Sequence, residues 1–321
     1  MAGAITRRAV LAALAAAGAV GVLPGCAAPF AQARLRLATG SARGVYYRLG
    51  TALAQAWESE LDLERRPVVL STAGSVQNVS MLAADDADVV FSQVDAAAEQ
   101  LAGTAADDAD APRALARIYD DVLHVVVPAA SAITTVSGLR GTRVSVGAAD
   151  SGVSVVARRI LDAAALGVAD VRATRLGLDD SVEAMAAGTI DAFFWSGGLP
   201  TPAVEQLAGT LPIRLLDLTE DGVLDVVRAR YPVYAPGTVP ALSYAGIATP
   251  VTTMLVRNLL LVAASMPDDF AEALVRVLFT EQEQLARAGP AALTIDPRAA
   301  IGTEPLLLHP GAERFYRSQR D

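Results

Sequence analysis

The chain has 321 residues and a formal charge of −9 at neutral pH, and every one of its basic side chains is arginine. That acidity argues against nucleic acid and anionic lipid head groups as partners, since both would be repelled. The single cysteine excludes an intramolecular disulfide, and the length accommodates two domains of ordinary size.

The first element reads as an export signal. Thr6, Arg7 and Arg8 precede an apolar run from Ala9 to Leu23 with no acidic residue, which is short for a bilayer span and suits a signal peptide. Leu23-Pro24-Gly25-Cys26 resembles the bacterial lipoprotein box, in which the cysteine becomes the lipidated N-terminus, and Thr-Arg-Arg resembles a twin-arginine signal. The export route, twin-arginine or general, stays open. Residues 1–25 are then removed with two arginines and no acid, taking the formal charge from −9 to −11, and residues 26–33 form a tether. The longest later apolar stretch, Met254 to Ala264, is broken by Arg257 and Asn258, so no second membrane segment is expected. The protein is expected to be exported and lipid-anchored on the extracytoplasmic face of the cell membrane.

Beyond the tether, strands and helices alternate as in an α/β protein. A strand over Arg34 to Ala38 leads to a helix on which Val45, Leu49, Leu53, Trp57 and Leu61 recur every four residues and form one apolar stripe. Strands follow near Pro67 to Leu70 and Ala87 to Phe91, each with a helix behind it. The acidic stretch Gly103 to Ala111 has no apolar period and reads as a surface connection. Arg117 to Pro128, containing IYDDVLHVVVP, is one long apolar strand able to cross from one domain to another. A second set comprises Arg143 to Gly147, a helix over Ser151 to Leu166, Val171 to Leu176, a helix around Asp179 to Ala187, and strands Asp191 to Trp195 and Ile213 to Leu218. Tyr231 to Thr249, rich in Pro, Gly and Tyr, reads as irregular, and helices over Asp268 to Arg287 and near the end close the chain. The expected organisation is lobe 1 over residues 34–123, lobe 2 over 124–264, and C-terminal helices over 265–321 returning toward lobe 1.

Four times a short strand runs into a Gly/Ser-rich loop that opens a helix: LRLATGSARGVYY, VVLSTAGSVQN, VVFSQVDAAA and VSVGAADSGVSVVARRIL. Each such loop brings unpaired N–H groups, hydroxyls and a partial positive charge to one place, which favours a carboxylate or phosphate. Any one of them can be ordinary helix capping; the repetition points to a dispersed small-ligand site between two lobes.

Enzymatic constellations are missing. Gly40 and Gly44 do not form the dinucleotide fingerprint, no G-x-S-x-G elbow surrounds Ser154 or Ser196, and His124 and His309 are the only histidines, without the company a metal or catalytic triad requires. Both histidines read as structural. The run Asp107 to Asp110 lacks calcium-loop spacing and reads as a solvated face. No enzymatic activity, no cofactor and no metal is expected.

Nearly the whole mature chain resembles the TAXI group of TRAP-transporter solute receptors. The strings that carry this are ATGSARGVYYRLG, TAGSVQN, FSQVD, LHVVVP with LRGTRVSVGAADSGV, GTIDAFFWSGGLPTPAV and LLLHPGAERFYR, in that order over about 280 residues. The resemblance implies a two-lobed α/β, type II periplasmic-binding-protein-like fold that closes on a small polar, carboxylate-bearing solute such as glutamate or another organic acid. It implies a pocket of Gly40, Ser41, Gly44, Tyr46 and Tyr47 from the first loop, Gly74, Ser75, Asn78, Ser92, Gln93 and Asp95 from the next two, and Ser151, Gly152, Ser154, Trp195 and Gly197 from the other lobe. Gln93 or Asp95 would take an ammonium or hydroxyl group. Tyr46 and Tyr47 are about 100° apart on a helix, so one of them packs elsewhere. Trp195 is either core or pocket wall. Arg43 replaces a small residue of the commoner family form; it either forms a bidentate pair with a ligand carboxylate or points into solvent. The expected partner is a TRAP-type permease, with a membrane sensor kinase as the alternative and an exported enzyme as a third, weaker reading.

Overall fold

The computed structural model describes residues 28–103 and 108–319; the export signal, Cys26 and Asp107 lie outside them. Strands β1 (Arg36–Ala38), β2 (Val68–Leu70) and β3 (Val89–Gln93) are parallel, with helix α1 (Val45–Glu60) linking the first two and α2 (Ser75–Ala83) the second pair. Helix α3 (Val94–Leu101) starts directly on the last residue of β3. A second parallel set is built from β5 (Arg143–Ser145), α4 (Gly152–Ala163), β6 (Arg172–Thr174), α5 (Leu178–Ala186) and β7 (Ala192–Gly197). Helix α6 (Pro202–Thr210), strand β8 (Ile213–Leu215) and helix α7 (Val223–Arg230) follow.

Two long strands join the halves. β4 (Pro112–Pro128) and β10 (Val251–Ala263) run antiparallel from Val122 opposite Leu255 to Pro112 opposite Ala263. The second half of β10 also pairs with β3, the second half of β4 pairs with β7, and the sheet order is β2-β1-β3-β10-β4-β7-β5-β6. The chain therefore changes lobes inside strands, near Asp120–Asp121 on the way out and near Asn258 on the way back. The boundary expected at 264 falls later than this return, because Asn258 to Val262 already hydrogen-bond with β3. The β4–β10 pairing slips between Asn258 and Leu259 and again between Leu260 and Leu261. Bulges of this kind bend a strand and raise its twist, which suits a crossover between two bodies.

Both faces of the crossing strands are buried. On β10, Leu260 and Val262 join one core while Leu259 and Leu261 join another on the opposite face; on β4, Leu123, Val125 and Val127 divide from Val122 and Val126 in the same way. A strand covered on both sides reads as a continuous apolar run, which is why 254–264 showed no alternation in the sequence. The stretch 231–249, expected to be irregular, contains β9 (Tyr234–Val239), which among the described residues pairs only with β10. Pro236 and Gly237 are tolerated on an edge strand, and a Cβ on Gly237 would meet Leu255 at 2.6 Å.

The C-terminal helices α8 (Asp268–Thr280), α9 (Gln282–Ala288), α10 (Pro297–Ala300) and α11 (Pro310–Ser318) return to the first lobe. Phe270, Leu274, Leu278 and Phe315 share one core with Leu49, Leu53 and Trp57 of α1. Trp57 is fully buried and its indole N–H donates to the Leu274 carbonyl at 3.1 Å, so the apolar stripe of α1 is covered by a segment more than 200 residues away. Replacing Trp57 with Ala removes that packing and orphans the carbonyl. The expected loss is about 3–5 kcal/mol in urea unfolding; a loss under about 1 kcal/mol would mean that α8 does not depend on α1.

Candidate ligand-binding site

A cavity of about 160 Å³ lies between the lobes, below the ~300–1,000 Å³ of drug-sized clefts and suited to a small metabolite. The first lobe lines it with Gly40, Ser41, Gly44 and Tyr46 from the loop into α1, with Gly74 and Ser75 at the start of α2, and with Gln93 at the end of β3. The second lobe contributes Ser151 and Gly152 at the start of α4, and Trp195 and Gly197 at the end of β7. The N-termini of α1 and α2 have no side-chain cap, whereas Ser151 caps α4 by accepting from the Ser154 N–H. With Gly177 and Leu178 at the uncapped start of α5, four helix N-termini thus meet at one cavity. Gly74 has φ 125°, a conformation that favours glycine and turns the chain into α2 beside Ser151.

Not every expected residue reaches the cavity. Tyr46 lines it, stacks on Phe91 and donates its hydroxyl hydrogen to Asn258 Oδ1, whereas Tyr47, one step round the helix, is not among the lining residues. Asn78 is buried behind the wall, where its amide donates to the Thr39 and Phe91 carbonyls and its Oδ1 accepts from Thr72. Ser92 faces away on β3 and bonds the Gln93 carbonyl, and Ser154 donates its hydroxyl to the Ser151 carbonyl within the first turn of α4. Arg43 is largely exposed and pairs with Asp179 of the other lobe at 3.2 Å, beside a smaller cavity.

Asp95 has a different occupation. Fully buried at the start of α3, it accepts from the Tyr234 hydroxyl at 2.6 Å, and burial raises its pKa. Arg159 of α4 also bonds Tyr234 and reaches Glu99 of α3 at 2.5 Å, while its guanidinium lies over the Tyr231 ring at 4.2 Å. The cluster joins α3 of one lobe to α4 and β9 of the other. Another interlobe tie is the Gln77 N–H donating to the Asp150 carbonyl at 3.0 Å.

The floor of the cavity comes from the crossing strands and was missed in the sequence. Asp121 of β4 is 3% exposed; its Oδ2 accepts from Gln93 Nε2 at 2.7 Å and from Ser196 Oγ at 3.2 Å. Tyr119, Phe194 and Ser196 line the cavity with it. The available signal was an acidic pair in the middle of an otherwise apolar strand, Asp120-Asp121, at the point where the chain changes lobes. Burial pushes the Asp121 carboxyl up to about 6. His124, three residues on, is held neutral by burial at about 4: its Nδ1 bonds the Val122 carbonyl at 2.8 Å, and its Nε2 accepts from Tyr244 at the same distance. This is the structural role expected for it.

A larger cavity of about 280 Å³ opens beside the hinge against the C-terminal segment. Arg117 there is already paired with Asp120 at 2.5 Å, and none of the described buried polar atoms that lack a partner belongs to its lining.

Two α/β lobes joined by a pair of crossing strands, with the cleft at the ends of strands and starts of helices, define the periplasmic-binding-protein fold. Solved structures agree. The periplasmic aliphatic sulphonate binding protein SsuA from Escherichia coli aligns over 90% of this chain and 84% of its own, with a TM-score of 0.50 and 17% identity. XAC2383 from Xanthomonas citri, solved with ATP, aligns over 90% and 99%, with a TM-score of 0.51 and 14% identity. At these identities the likeness is one of fold. Residues 37–319 match the NMT1-like family, and the chain belongs to that family.

Two measurements follow from this geometry. A Cβ on Gly152 would lie 2.0 Å from Gln93 Oε1 and 2.9 Å from Ser75 Oγ, so Gly152→Ala should hold the lobes apart while leaving each lobe folded. Calorimetric titration should show at least a tenfold loss of affinity, about 1.4 kcal/mol, with little change in melting temperature; unchanged affinity would mean that the lobes bind without this contact. The second concerns pH. The native state holds the Asp121 proton more tightly than the unfolded chain does, so this group's contribution to stability falls as pH rises from about 4 to about 6. His124 works in the opposite sense, its contribution being lost as pH falls from 6.5 toward about 4. The two oppose each other in one window. Asp121→Asn should therefore expose the histidine slope, gaining about 3 kcal/mol between pH 4 and 6.5 relative to the flatter wild type in urea unfolding of solute-free protein; identical pH profiles would contradict the buried, ionisable state of Asp121.

Proposed function

We propose that this protein is an extracytoplasmic solute receptor that captures a small polar, carboxylate-bearing solute, glutamate-like or another organic acid, by closing its two lobes. The observation that carries this reading is the convergence of four helix N-termini, those of α1, α2, α4 and α5, three of them without side-chain caps, on one small cavity between two lobes. Such ends hold an anion through backbone N–H groups and the helix dipole without a basic side chain. The hydroxyls of Ser41, Ser75 and Ser151 add hydrogen bonds, and Tyr46 and Trp195 exclude water. SsuA is described as a sulphonate-binding protein and XAC2383 was solved with ATP and with chloride, so this fold accommodates anions elsewhere.

In this reading the receptor belongs with the TAXI group, delivers its solute to a TRAP-type membrane permease, and is retained at the membrane by a lipid on Cys26. It is a binding protein and performs no chemistry on the solute. A ligand that touches both lobes binds the closed arrangement better than the open one and shifts the population toward it. Small-angle scattering of protein stripped of solute by unfolding and refolding should give a larger radius of gyration than the same sample after the released solute is added back. An identical curve in the two states would leave a single-lobe site or a permanently closed protein.

A further inference from the structure

The carboxylate end of the proposed solute accounts for the helix ends but not for the cavity floor. Two oxygen atoms there, Asp121 Oδ1 and Gln93 Oε1, are buried and receive no hydrogen bond from the protein. Both residues line the cavity and are 3% and 2% exposed. Both atoms are acceptors, and the donors closest to them are engaged elsewhere; Asn258 Nδ2, which bonds the Val256 carbonyl at 3.4 Å, is the one amide that also turns a hydrogen toward Asp121. Gln93 Nε2 donates to Asp121 Oδ2 and to Ser196 Oγ, Ser196 Oγ donates to Asp121 Oδ2, and the Tyr46 hydroxyl donates to Asn258. The Gln93 amide is fixed in this sense, since turning it over would set its oxygen against the carboxylate of Asp121.

Charge narrows the choice further. Among the described residues no Arg, Lys or His lines this cavity, and Asp121 is the only ionisable carboxylate that does. Arg43, the nearest candidate from the sequence, is paired with Asp179 in the adjoining space. A buried carboxylate without a cation is costly, and one that accepts from a cation is not. A hydroxyl would supply one hydrogen and no charge; an ammonium supplies up to three hydrogens and cancels the charge.

We propose that the floor of the cleft is an ammonium subsite, in which Asp121 Oδ1 and Gln93 Oε1 accept from an amino group of the solute, so that the protein selects solutes carrying both an amino group and a carboxylate over carboxylates alone. This rests on the receptor reading above. The groups facing Asp121 are Gln93 of β3, Ser196 of β7, Asn258 of β10, the hydroxyls of Tyr46 of α1 and Tyr119 of β4, both held neutral by burial, and, along its own strand, Asp120. Of these only Asp120 titrates in the acid range, and it is paired with Arg117. With neutral partners the Asp121 carboxyl stays near 6; an ammonium beside it would hold it ionised, so capture of an amino solute weakens below about pH 6, by up to about tenfold per pH unit.

The test uses the whole chain purified from the cells that make it. Solute released by unfolding is treated with an amine-reactive tag and weighed, and the stripped, refolded protein is titrated calorimetrically with L-amino acids and with the matching carboxylic acids that lack the amino group. The expected results are a tagged solute, at least tenfold tighter binding of the amino member of the best-binding pair, and loss of that preference in Asp121→Asn. A cooperative urea transition of Asp121→Asn, together with retained binding of the carboxylic acids that lack the amino group, shows that the variant is folded and that only the preference is lost. A released solute that takes no tag, or pairs bound alike with no change below pH 6, overturns the ammonium subsite and leaves the receptor reading standing. A protein that releases no solute and binds neither set overturns both.

Discussion

The antiparallel pairing of β4 with β10 is the constraint on which the rest of the molecule depends. Each strand belongs to both lobes, so every other strand is referred, directly or through a neighbour, to this one pair. Because the pairing extends, with two slips of register, from Val122 and Leu255 to Pro112 and Ala263, the lobes cannot drift apart as beads on a string can. Their relative motion is confined to bending and twisting about the crossing, where the bulges beside Leu259 and Leu261 already interrupt the ladder. The same strands supply the cavity floor. Tyr119 and Asp121 line it at the crossing, and Asn258, opposite Tyr119, receives the hydroxyl of Tyr46.

Placing an acid at such a crossing has consequences for both halves. Asp121 lies where lobe 1 reaches it through Gln93 and lobe 2 through Ser196, so one carboxylate oxygen binds both sides of the cleft. A second polar cluster, Asp95, Glu99, Tyr234 and Arg159, performs a similar joining outside the cavity. There the guanidinium is 8% exposed and meets an anion, a hydroxyl and an aromatic face, so its desolvation is offset by several partners at once. The two clusters differ in one respect. The second supplies its own cation, and the first does not.

Much of the architecture was legible from the sequence because it follows local rules. The period of four in Val45, Leu49, Leu53 and Trp57 reports a helix with one buried face whatever covers that face. The strand-loop-helix strings located the glycines and serines that line the cavity, since a loop that opens a helix at the end of a strand must leave N–H groups there. Asp95, Asn78 and Ser92 sit in the same strings but point elsewhere, because which side of a strand or helix end faces the cleft is decided by the neighbouring element. The motifs pointed to the TAXI group of receptors, and the family shown for the chain is the NMT1-like family.

The sequence by itself determined the alternation of strands and helices, the small-residue loops at strand ends and the long apolar strand that leaves the first lobe, all of which depend on neighbours within about a dozen residues. Only the tertiary structure decided that 251–263 is the returning strand, that 234–239 is an edge strand, and that Asp121 rather than Asp95 faces the cavity between the lobes. The physical reason is sequence separation. β10 owes its form to β4, more than 120 residues earlier, and Asp121 owes its surroundings to Gln93, Ser196 and Asn258, which no local period or motif brings together.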